Sequence, residues 1–397
     1  MNELRSDAEG EILPAWGAVV SMSLGVFGLV GAEFLPASLL TPIAADLGVT
    51  EGMAGQAVTA TAAVALVTSL TIAVVARGLD RRLVLLGLSL LLILSNLLVA
   101  FAPNLPSLLA GRVLLGVALG GFWTLSAATM MRLVPERDVP RALAILFSGV
   151  SAATIFAAPM GSYLGDVAGW RAVFLCGAGI GVLVFLMQLV TLPSMPARGQ
   201  SRFGTLGEVL ARPAVGLGMV AILLVFTGHF AFFTYIRPFL ETVSGVGVTG
   251  VSSILLGFGI ASFLGNYLGG FLVERSMRAT LAAMPLVMGT LALLLVSHGG
   301  NAMTDAAMVA LWGLAFGAVP VAWSTWITRV VPDEAETAGG LFVAAINFAI
   351  ATGAAGGGAL FDLSGVYTVF LASGAVLLAA GVTIFAGVRT RAVVAGT

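Results

Sequence analysis

Residues 116–135 read GVALGGFWTLSAATMMRLVP, and residues 313–332 read GLAFGAVPVAWSTWITRVVP. At this offset of 197 residues the matches between the two stretches include Gly116 with Gly313, Gly120 with Gly317, Arg132 with Arg329 and Pro135 with Pro332. Pro36 and Pro238 form a further match between the halves of the chain. Repeats of six helices, with the substrate held near the bilayer midplane between them, are typical of secondary transporters.

The composition excludes a water-soluble fold. Of 397 residues, 59% are hydrophobic and 9% are charged, whereas about 25% are charged in soluble domains. Apolar runs of about 20 residues can cross the hydrocarbon core as helices. Twelve such runs begin near Trp16, Gly52, Leu83, Pro106, Arg141, Trp170, Pro213, Thr249, Ala279, Met303, Thr337 and Val366. The sequence therefore predicts an all-α membrane protein with twelve transmembrane helices in two pseudo-symmetric six-helix bundles.

A polar break divides the chain and the arginines orient it. We expect an N-terminal six-helix bundle over residues 1–192, a cytoplasmic linker over 193–212 and a C-terminal six-helix bundle over 213–397. The chain has no Lys, and all its Arg except Arg112, Arg171 and Arg237 fall at the N-terminus, in loops after even-numbered spans or at the C-terminus. Because cytoplasmic loops are enriched in Lys and Arg, both termini are predicted to be cytoplasmic.

The sequence lacks the residues that enzymes, ATP-driven transporters and nucleic-acid-binding proteins need. Two His and one Cys make the metal or catalytic cluster of a membrane enzyme hard to build, so we expect neither enzyme nor metal site. No GxxxxGK[ST] phosphate loop is present, so the predicted energy source is a proton gradient without a cofactor. A net charge of −1 gives no reason to expect nucleic acid. A facilitator without ion coupling stays open.

Three ionisable residues within the spans are candidates for proton coupling: Glu33, Arg112 and His229. Such groups are costly in a membrane and usually face a cavity or a partner. The proton affinity of a carboxylate depends on its burial and on nearby cations, so a conformational change could load or unload Glu33. The alternatives are an interfacial Glu33 in water, an Arg112 that extends outward to lipid headgroups, and a His229 that is only a hydrogen-bonded packing residue.

Polar and aromatic side chains are candidates for substrate binding. Trp123 lies eleven residues after Arg112 and nearly in phase with it on a helix, and Tyr235 occupies the place of Glu33 when Pro36 is aligned with Pro238. The full set of substrate-binding candidates is Gln56, Trp123, Ser126, Tyr235, Trp323 and Asn347. In the fifth span, Gly149, Pro159 and Gly161 predict a kinked helix that packs closely on a neighbour.

The chain resembles the major facilitator superfamily, and within it the twelve-span drug:proton antiporter branch. The fifth-span segment GVSAATIFAAPMG resembles the antiporter motif of that branch, and RVLLGVALGG resembles its fourth-span motif, whose Arg is associated with proton coupling. RGLDRR resembles a shortened form of the loop motif between the second and third spans, although the usual following Gly and paired basic residues are absent. The resemblance implies a gating role for two sets of residues: Asp80, Arg81 and Arg82 in the loop, and Gly149, Pro159 and Gly161 in the fifth span.

A narrower resemblance covers nearly the whole chain. EFLPASLLTPIAADLG, LGGFWTLSAATMMRLVP, FAFFTYIRPFLE and VPVAWSTWITR are similar to segments of bacterial purine ribonucleoside efflux pumps. The resemblance implies a monomer of the bacterial inner membrane that exports nucleosides such as inosine and guanosine in exchange for protons. Sugar-efflux and multidrug-efflux antiporters share part of the pattern and stay open as alternatives.

Overall fold

The computed structural model describes residues 14–76, 78–196, 210, 212–331 and 335–388. Thirteen α-helices occupy these ranges: α1 Trp16–Ser38, α2 Leu40–Leu47, α3 Glu51–Val75, α4 Arg81–Ala100, α5 Leu105–Leu133, α6 Val139–Ala168, α7 Trp170–Thr191, α8 Pro213–Thr234, α9 Ile236–Thr242, α10 Val248–His298, α11 Ala302–Val330, α12 Ala335–Ser364 and α13 Val366–Gly387. Eleven helices are long and apolar enough to cross a membrane. The remaining two, α2 and α9, are short.

Helix α10 contains two spans. Its 51 residues would extend about 76 Å at 1.5 Å per residue, more than twice the roughly 30 Å of a hydrocarbon core. Ser276 interrupts it with non-helical angles of φ −160° and ψ 98°, between the runs predicted to begin near Thr249 and Ala279. Counting α10 twice gives twelve spans, so the predicted all-α architecture is confirmed.

The sequence repeat corresponds to equivalent helix contacts. A Cβ atom on Gly116 or Gly120 of α5 would meet the carbonyl oxygen of Thr61 or Ala65 in α3. On Gly313 or Gly317 of α11 it would meet the carbonyl oxygen of Phe258 or Ser262 in α10. The contacted residues are themselves 197 apart, as the glycines are. The shared glycines therefore let the same pair of helices approach closely in each half.

The two halves have cores that differ in extent. One buried cluster, running from Ala18 to Met195, lies wholly within the first half. The other contains the second half together with first-half residues such as Leu39 and Ala54. Contacts of α3 with α12, α6 with α10 and α1 with α8 join the halves. The core is thus continuous between the halves around the C-terminal end of α1.

The start of the predicted linker packs on the first half. Leu192 and Met195 are fully buried in its core, and the Met195 carbonyl accepts a hydrogen bond from the Arg81 backbone nitrogen at 3.0 Å. Most of the remaining linker, residues 197–209 and 211, lies outside the described residues, as do both predicted cytoplasmic termini (1–13 and 389–397). The predicted domain boundaries stay predictions.

Candidate functional site

Arg112 joins α5 to two other helices through their backbone carbonyls. Its side chain is 1% exposed. Nη1 donates to the Ala32 carbonyl at 2.8 Å, Nε to the Ala57 carbonyl at 3.2 Å and Nη2 to the Glu33 carbonyl at 3.5 Å. An outward position among lipid headgroups is inconsistent with this geometry. The planar guanidinium instead bridges α1 and α3.

Pro36 explains why one of these carbonyls needs an external donor. Proline has no backbone N–H, so within α1 it leaves the carbonyl four residues earlier without its helical partner. That residue is Ala32, whose oxygen Arg112 satisfies. The sequence EFLP and the arginine of RVLLGVALGG are therefore parts of one hydrogen-bonded unit, although 76 residues separate Pro36 from Arg112.

Glu33 lies beside this unit and is only half-buried. Its described contact with Arg112 uses the Glu33 backbone, and the pair does not occur among the ion pairs of the described residues. The Arg112 charge is nevertheless held next to the turn that carries the carboxylate. The coupling roles of Glu33 and Arg112 stay predictions, and the geometry gives Arg112 a positioning role as well.

An aromatic cluster from the second half meets α1 next to Glu33. Phe34 contacts Phe233 edge to face, with ring centroids 5.6 Å apart. The cluster consists of Phe34, Phe226, His229, Phe230, Phe233, Phe258, Phe316 and Phe342. Its α8 members recur at helical spacing, so they share one face of that helix. The cluster can stack on a flat ligand.

One ring nitrogen of His229 accepts a hydrogen bond. Trp312 Nε1 donates a hydrogen bond to His229 Nδ1 at 3.1 Å, and an indole N–H can only donate. Nδ1 must therefore be unprotonated, and Nε2 carries the proton of the neutral ring. The proposed role of His229 in proton coupling stays a prediction, and this bond favours the alternative that His229 is a hydrogen-bonded residue of the cluster.

Two of the predicted substrate residues lie together where the halves meet. Tyr235 is fully buried, and its hydroxyl donates to the Ala354 carbonyl at 3.0 Å. A Cβ atom on Gly55 or Gly358 would collide with that hydroxyl, and one on Gly358 would lie 3.3 Å from the Gln56 side-chain nitrogen. Tyr235 and Gln56 thus fill the crossing of α3 and α12.

The other predicted substrate residues are dispersed. Trp123 is half-buried and stacks on Phe147 with centroids 6.1 Å apart. Trp323 is buried against Trp326. The buried Ser126 and Asn347 side chains donate to carbonyls of their own helices, at 2.5 Å and 3.0 Å. In this conformation no single surface collects the whole set, so their substrate contacts stay predictions.

Asp80 ties the loop before α4 to the end of α7. It accepts hydrogen bonds from the Arg82 backbone at 2.8 Å, the Ser194 hydroxyl at 2.5 Å and the Met195 backbone at 2.9 Å. Partial burial raises the pKa of Asp80, but these bonds and the Arg132 charge outweigh it and hold that pKa below its usual range. Arg82 Nη2 adds a bond to the Leu189 carbonyl at 2.7 Å. The predicted gating residues Asp80, Arg81 and Arg82 thus join parts of the first half here.

The predicted gating glycines place α6 against α1, and its proline lies near α10. Gly149 faces the Ser23 carbonyl of α1, and Gly161 faces the side chains of Leu35 and Ser38. Pro159 leaves the Ile155 carbonyl without its helical partner. A Cβ atom on Gly259 of α10 would lie 3.2 Å from that carbonyl oxygen. Helix α6 therefore links the first half to the second, which is the position a gating helix requires.

Hydrogen bonds between the halves occur at the end of the molecule near Ser38 and Thr50, which we call the closed end. Arg237 donates to the Ser38 carbonyl and pairs with Glu241 at 2.7 Å, and Thr41 donates to Glu241 at 2.7 Å. We call these bonds the first latch between the halves, and it was not predicted from the sequence. The available signal was that Arg237 is one of the few arginines outside the predicted cytoplasmic regions.

A second latch at the closed end uses a helix terminus. Thr50, just before α3, donates to Asp362 of α12 at 2.9 Å. A Cβ atom on Gly52 would collide with the same carboxylate, so the glycine lets it approach the N-terminus of α3. An anion there interacts favourably with the helix dipole. Asp362 therefore holds α3 of the first half to α12 of the second.

Comparisons with known proteins agree with this architecture. A family model described as Major Facilitator Superfamily matches residues 22–345. The purine ribonucleoside efflux pump NepI of Escherichia coli (strain K12) is 46% identical over 378 residues, covering 95% of this chain and 96% of the relative. The pump of the same name from Salmonella paratyphi C is 45% identical over 382 residues, covering 96% of each.

Solved structures show the same fold at low identity. A bacterial homolog to the human lysosomal transporter Spinster, in an inward-facing and occupied conformation, superposes with a TM-score of 0.74 at 15% identity. The match covers 94% of this chain and 97% of that one. The unoccupied inward-facing form of that homolog gives a TM-score of 0.73 at 14% identity.

Proposed function

The chain belongs to the Major Facilitator Superfamily, and on that premise we propose that it is an antiporter that exports purine ribonucleosides in exchange for protons. The prediction of a transporter rather than an enzyme agrees with the efflux pumps to which the chain is similar. The observation that carries the proposal is the junction of the halves. There the turn that carries Glu33, which Arg112 holds through the Ala32 carbonyl, meets the aromatic cluster of the second half through Phe34.

Purine ribonucleosides fit this junction chemically. The base offers a flat face for the aromatic cluster, while the ribose hydroxyls need hydrogen-bonding groups such as those of Gln56 and Tyr235. The efflux pumps named for these nucleosides are 45–46% identical along almost the whole chain. This similarity supports purine ribonucleosides over sugars and lipophilic drugs, which are the alternative cargoes.

Proton coupling is assigned to Glu33, with Arg112 as its electrostatic and positioning partner. The turn that carries Glu33 depends on a hydrogen bond to Arg112, and Phe34 of the same turn contacts the second half. Movement of one half against the other would change the surroundings of the carboxylate. A carboxylate binds or releases a proton when its burial or its distance from a cation changes. The energy source is the proton gradient, and no cofactor is required.

Alternating access follows from the latches at the closed end. The chain spans a bacterial membrane many times. The arginine distribution supports cytoplasmic termini, and with that orientation the closed end faces the periplasm. Breaking the bonds of Arg237, Glu241 and Asp362 would open that side as the halves rock. Because one chain provides both halves, a monomer in the inner membrane is sufficient.

A competition assay tests this function. Inverted membrane vesicles that contain the protein should accumulate radiolabelled inosine, and unlabelled guanosine should compete strongly. An unlabelled sugar or a lipophilic cation should compete weakly. A protonophore should abolish the accumulation. Strong competition by the sugar or the cation would favour the corresponding alternative. If inosine only reached equal concentrations on both sides of the membrane, and the protonophore had no effect, the protein would be a facilitator.

A further inference from the structure

We propose that His229 is a neutral hydrogen-bond donor to the substrate, presenting its Nε2 proton to an acceptor atom in the plane of the base. This inference rests on the proposed function and deepens it, because it names a residue that selects the cargo. It also separates His229 from the proton pathway, in which the sequence alone would place it.

The first support is that the ring is held in one protonation pattern. Trp312, whose N–H occupies His229 Nδ1, is fully buried. It stacks on Phe232 with centroids 3.7 Å apart and planes at 9°, and Phe232 in turn contacts Phe370. This column fixes the indole. Protonation of Nδ1 would place two N–H groups against each other, so His229 is poorly suited to carry a second proton.

The second support is the surroundings of the other nitrogen. Nε2 has no hydrogen-bond partner among the described residues, and the ring is 2% exposed. Phe316 lies parallel to the imidazole with centroids 3.3 Å apart, and Phe233 lies at 15° to it. No described Asp, Glu or Arg contributes a hydrogen bond to the ring. A donor so placed lacks a protein acceptor, and a ligand stacked in the cluster could provide one.

Purine nucleosides have acceptors suited to such a donor. N7, O6 and N3 of a hypoxanthine or guanine base lie in the plane of the ring. A base that stacks among the phenylalanines lies roughly parallel to the imidazole, so its edge can face the imidazole edge. One N–H from the protein would then distinguish a purine from a flat ligand without that acceptor, which is how a buried polar group gives specificity.

Two substitutions separate the nitrogens of His229. In His229→Asn, the amide oxygen can accept from Trp312 in place of Nδ1, but nothing replaces the Nε2 donor. In His229→Gln, the longer side chain can return an amide N–H to the position of Nε2. The only other histidine, His298, is exposed at the end of α10 and bonds to Ser297. His298→Gln is therefore the matched control.

The test measures competition against radiolabelled inosine in inverted vesicles. Competitors are unlabelled inosine, 7-deazainosine without N7, purine riboside without O6 and 3-deazainosine without N3. We expect wild type and His298→Gln to discriminate against one of these analogues by roughly 2- to 10-fold, the range for a neutral hydrogen bond. His229→Asn should lose that discrimination, and His229→Gln should keep most of it. Loss of the bond should also raise the KM for inosine in His229→Asn, but the accumulation that each variant still shows should stay sensitive to the protonophore.

Each contrary result has a distinct meaning. The inference is overturned if wild type treats all analogues alike, if His229→Asn discriminates as wild type does, or if His229→Gln folds and transports but discriminates no better than His229→Asn. Loss of proton-driven accumulation in both variants, with inosine binding retained, would return His229 to the proton pathway. Failure of the proposed function looks different, because wild type and His298→Gln would then show no protein-dependent inosine uptake, and both proposals would fall.

Discussion

Replacing Arg112 by Lys should destabilise the protein, and removing Pro36 should restore part of the loss. Lysine keeps the charge but cannot bridge α1 and α3 with a planar fork. If its ammonium stays with one helix, the Ala32 carbonyl loses the donor now at 2.8 Å. An unsatisfied buried acceptor costs about 1–3 kcal/mol. With the weaker bonds to Ala57 and Glu33 included, we expect a loss of about 2–4 kcal/mol.

Pro36→Ala provides the specific compensation. Alanine at this position has an N–H that can donate to the Ala32 carbonyl within α1. In the Arg112→Lys background that new bond satisfies an orphaned acceptor, whereas in wild type the acceptor already has Arg112. A double-mutant cycle should therefore show a coupling free energy of about 1–2 kcal/mol, with Pro36→Ala more favourable in the lysine background.

The assay is the free energy of unfolding in mixed micelles, measured by titration with denaturing detergent. Pro238→Ala is the matched control, because Pro238 aligns with Pro36 but lies in the half where the position equivalent to Arg112 is Val309. Its effect should add to that of Arg112→Lys within about 0.5 kcal/mol. Additivity of Pro36→Ala with Arg112→Lys, to the same tolerance, would refute the proposed link between the proline and the arginine.

Three further predictions address the gate, the Asp80 anchor and the repeat. Asp362→Asn should weaken the hold on α3, so a cysteine placed at the closed end should react several-fold faster with a membrane-impermeant maleimide. Asp166→Asn should not change that rate; Asp166 ends the first-half segment LGD (residues 164–166), which is similar to the second-half segment LFD (residues 360–362) that ends with Asp362. Equal rates in wild type and Asp362→Asn would contradict the latch. The folded pKa of Asp80 lies below its usual value, so the stabilisation by its carboxylate is complete above about pH 4 and is lost as the pH falls through the folded pKa. Asp80→Asn should therefore lose less unfolding free energy than wild type between about pH 5 and about pH 3. Identical acid profiles of the two proteins would contradict the stabilising role of the Asp80 carboxylate. Gly120→Val should prevent close packing of α5 on the Ala65 carbonyl and abolish a monodisperse gel-filtration peak, whereas Gly87→Val, at a glycine with nothing within 4 Å, should retain it.

Hydrophobic length was enough to predict the spans, because it is a local signal in the sequence, and the repeat could be detected by comparing the two halves of the sequence. The offset between Gly116 and Gly313 recurs as equivalent helix contacts, and the two spans predicted around Arg275 and Arg278 are present. Their connection differs from the expected loop. The helix continues through it with one non-helical residue at Ser276, a local change of two backbone angles that no hydrophobic pattern specifies.

The candidate site was predictable in its charged residues but not in their partners. Glu33, Arg112 and His229 stand out because ionisable groups are rare in membrane spans. Pro36 marks the Ala32 carbonyl as an acceptor without its helical donor, but the sequence does not specify that Arg112 supplies the donor. The Trp312 indole has no comparable signal, since most tryptophans in a membrane protein pack. Arg237 and Ser38 are 199 residues apart, and only the fold brings them together.

The most direct test of proton-coupled nucleoside export uses purified protein in liposomes with an acidic interior. Outward proton flow should drive inosine above its external concentration, and a protonophore should collapse the gradient of inosine. Glu33→Gln should still exchange labelled for unlabelled inosine but should fail to accumulate it. The coupling role of Glu33 would be contradicted if Glu33→Gln accumulated as much inosine as wild type and the protonophore still abolished this accumulation. Proton antiport itself would be contradicted if the protonophore had no effect on accumulation by wild type.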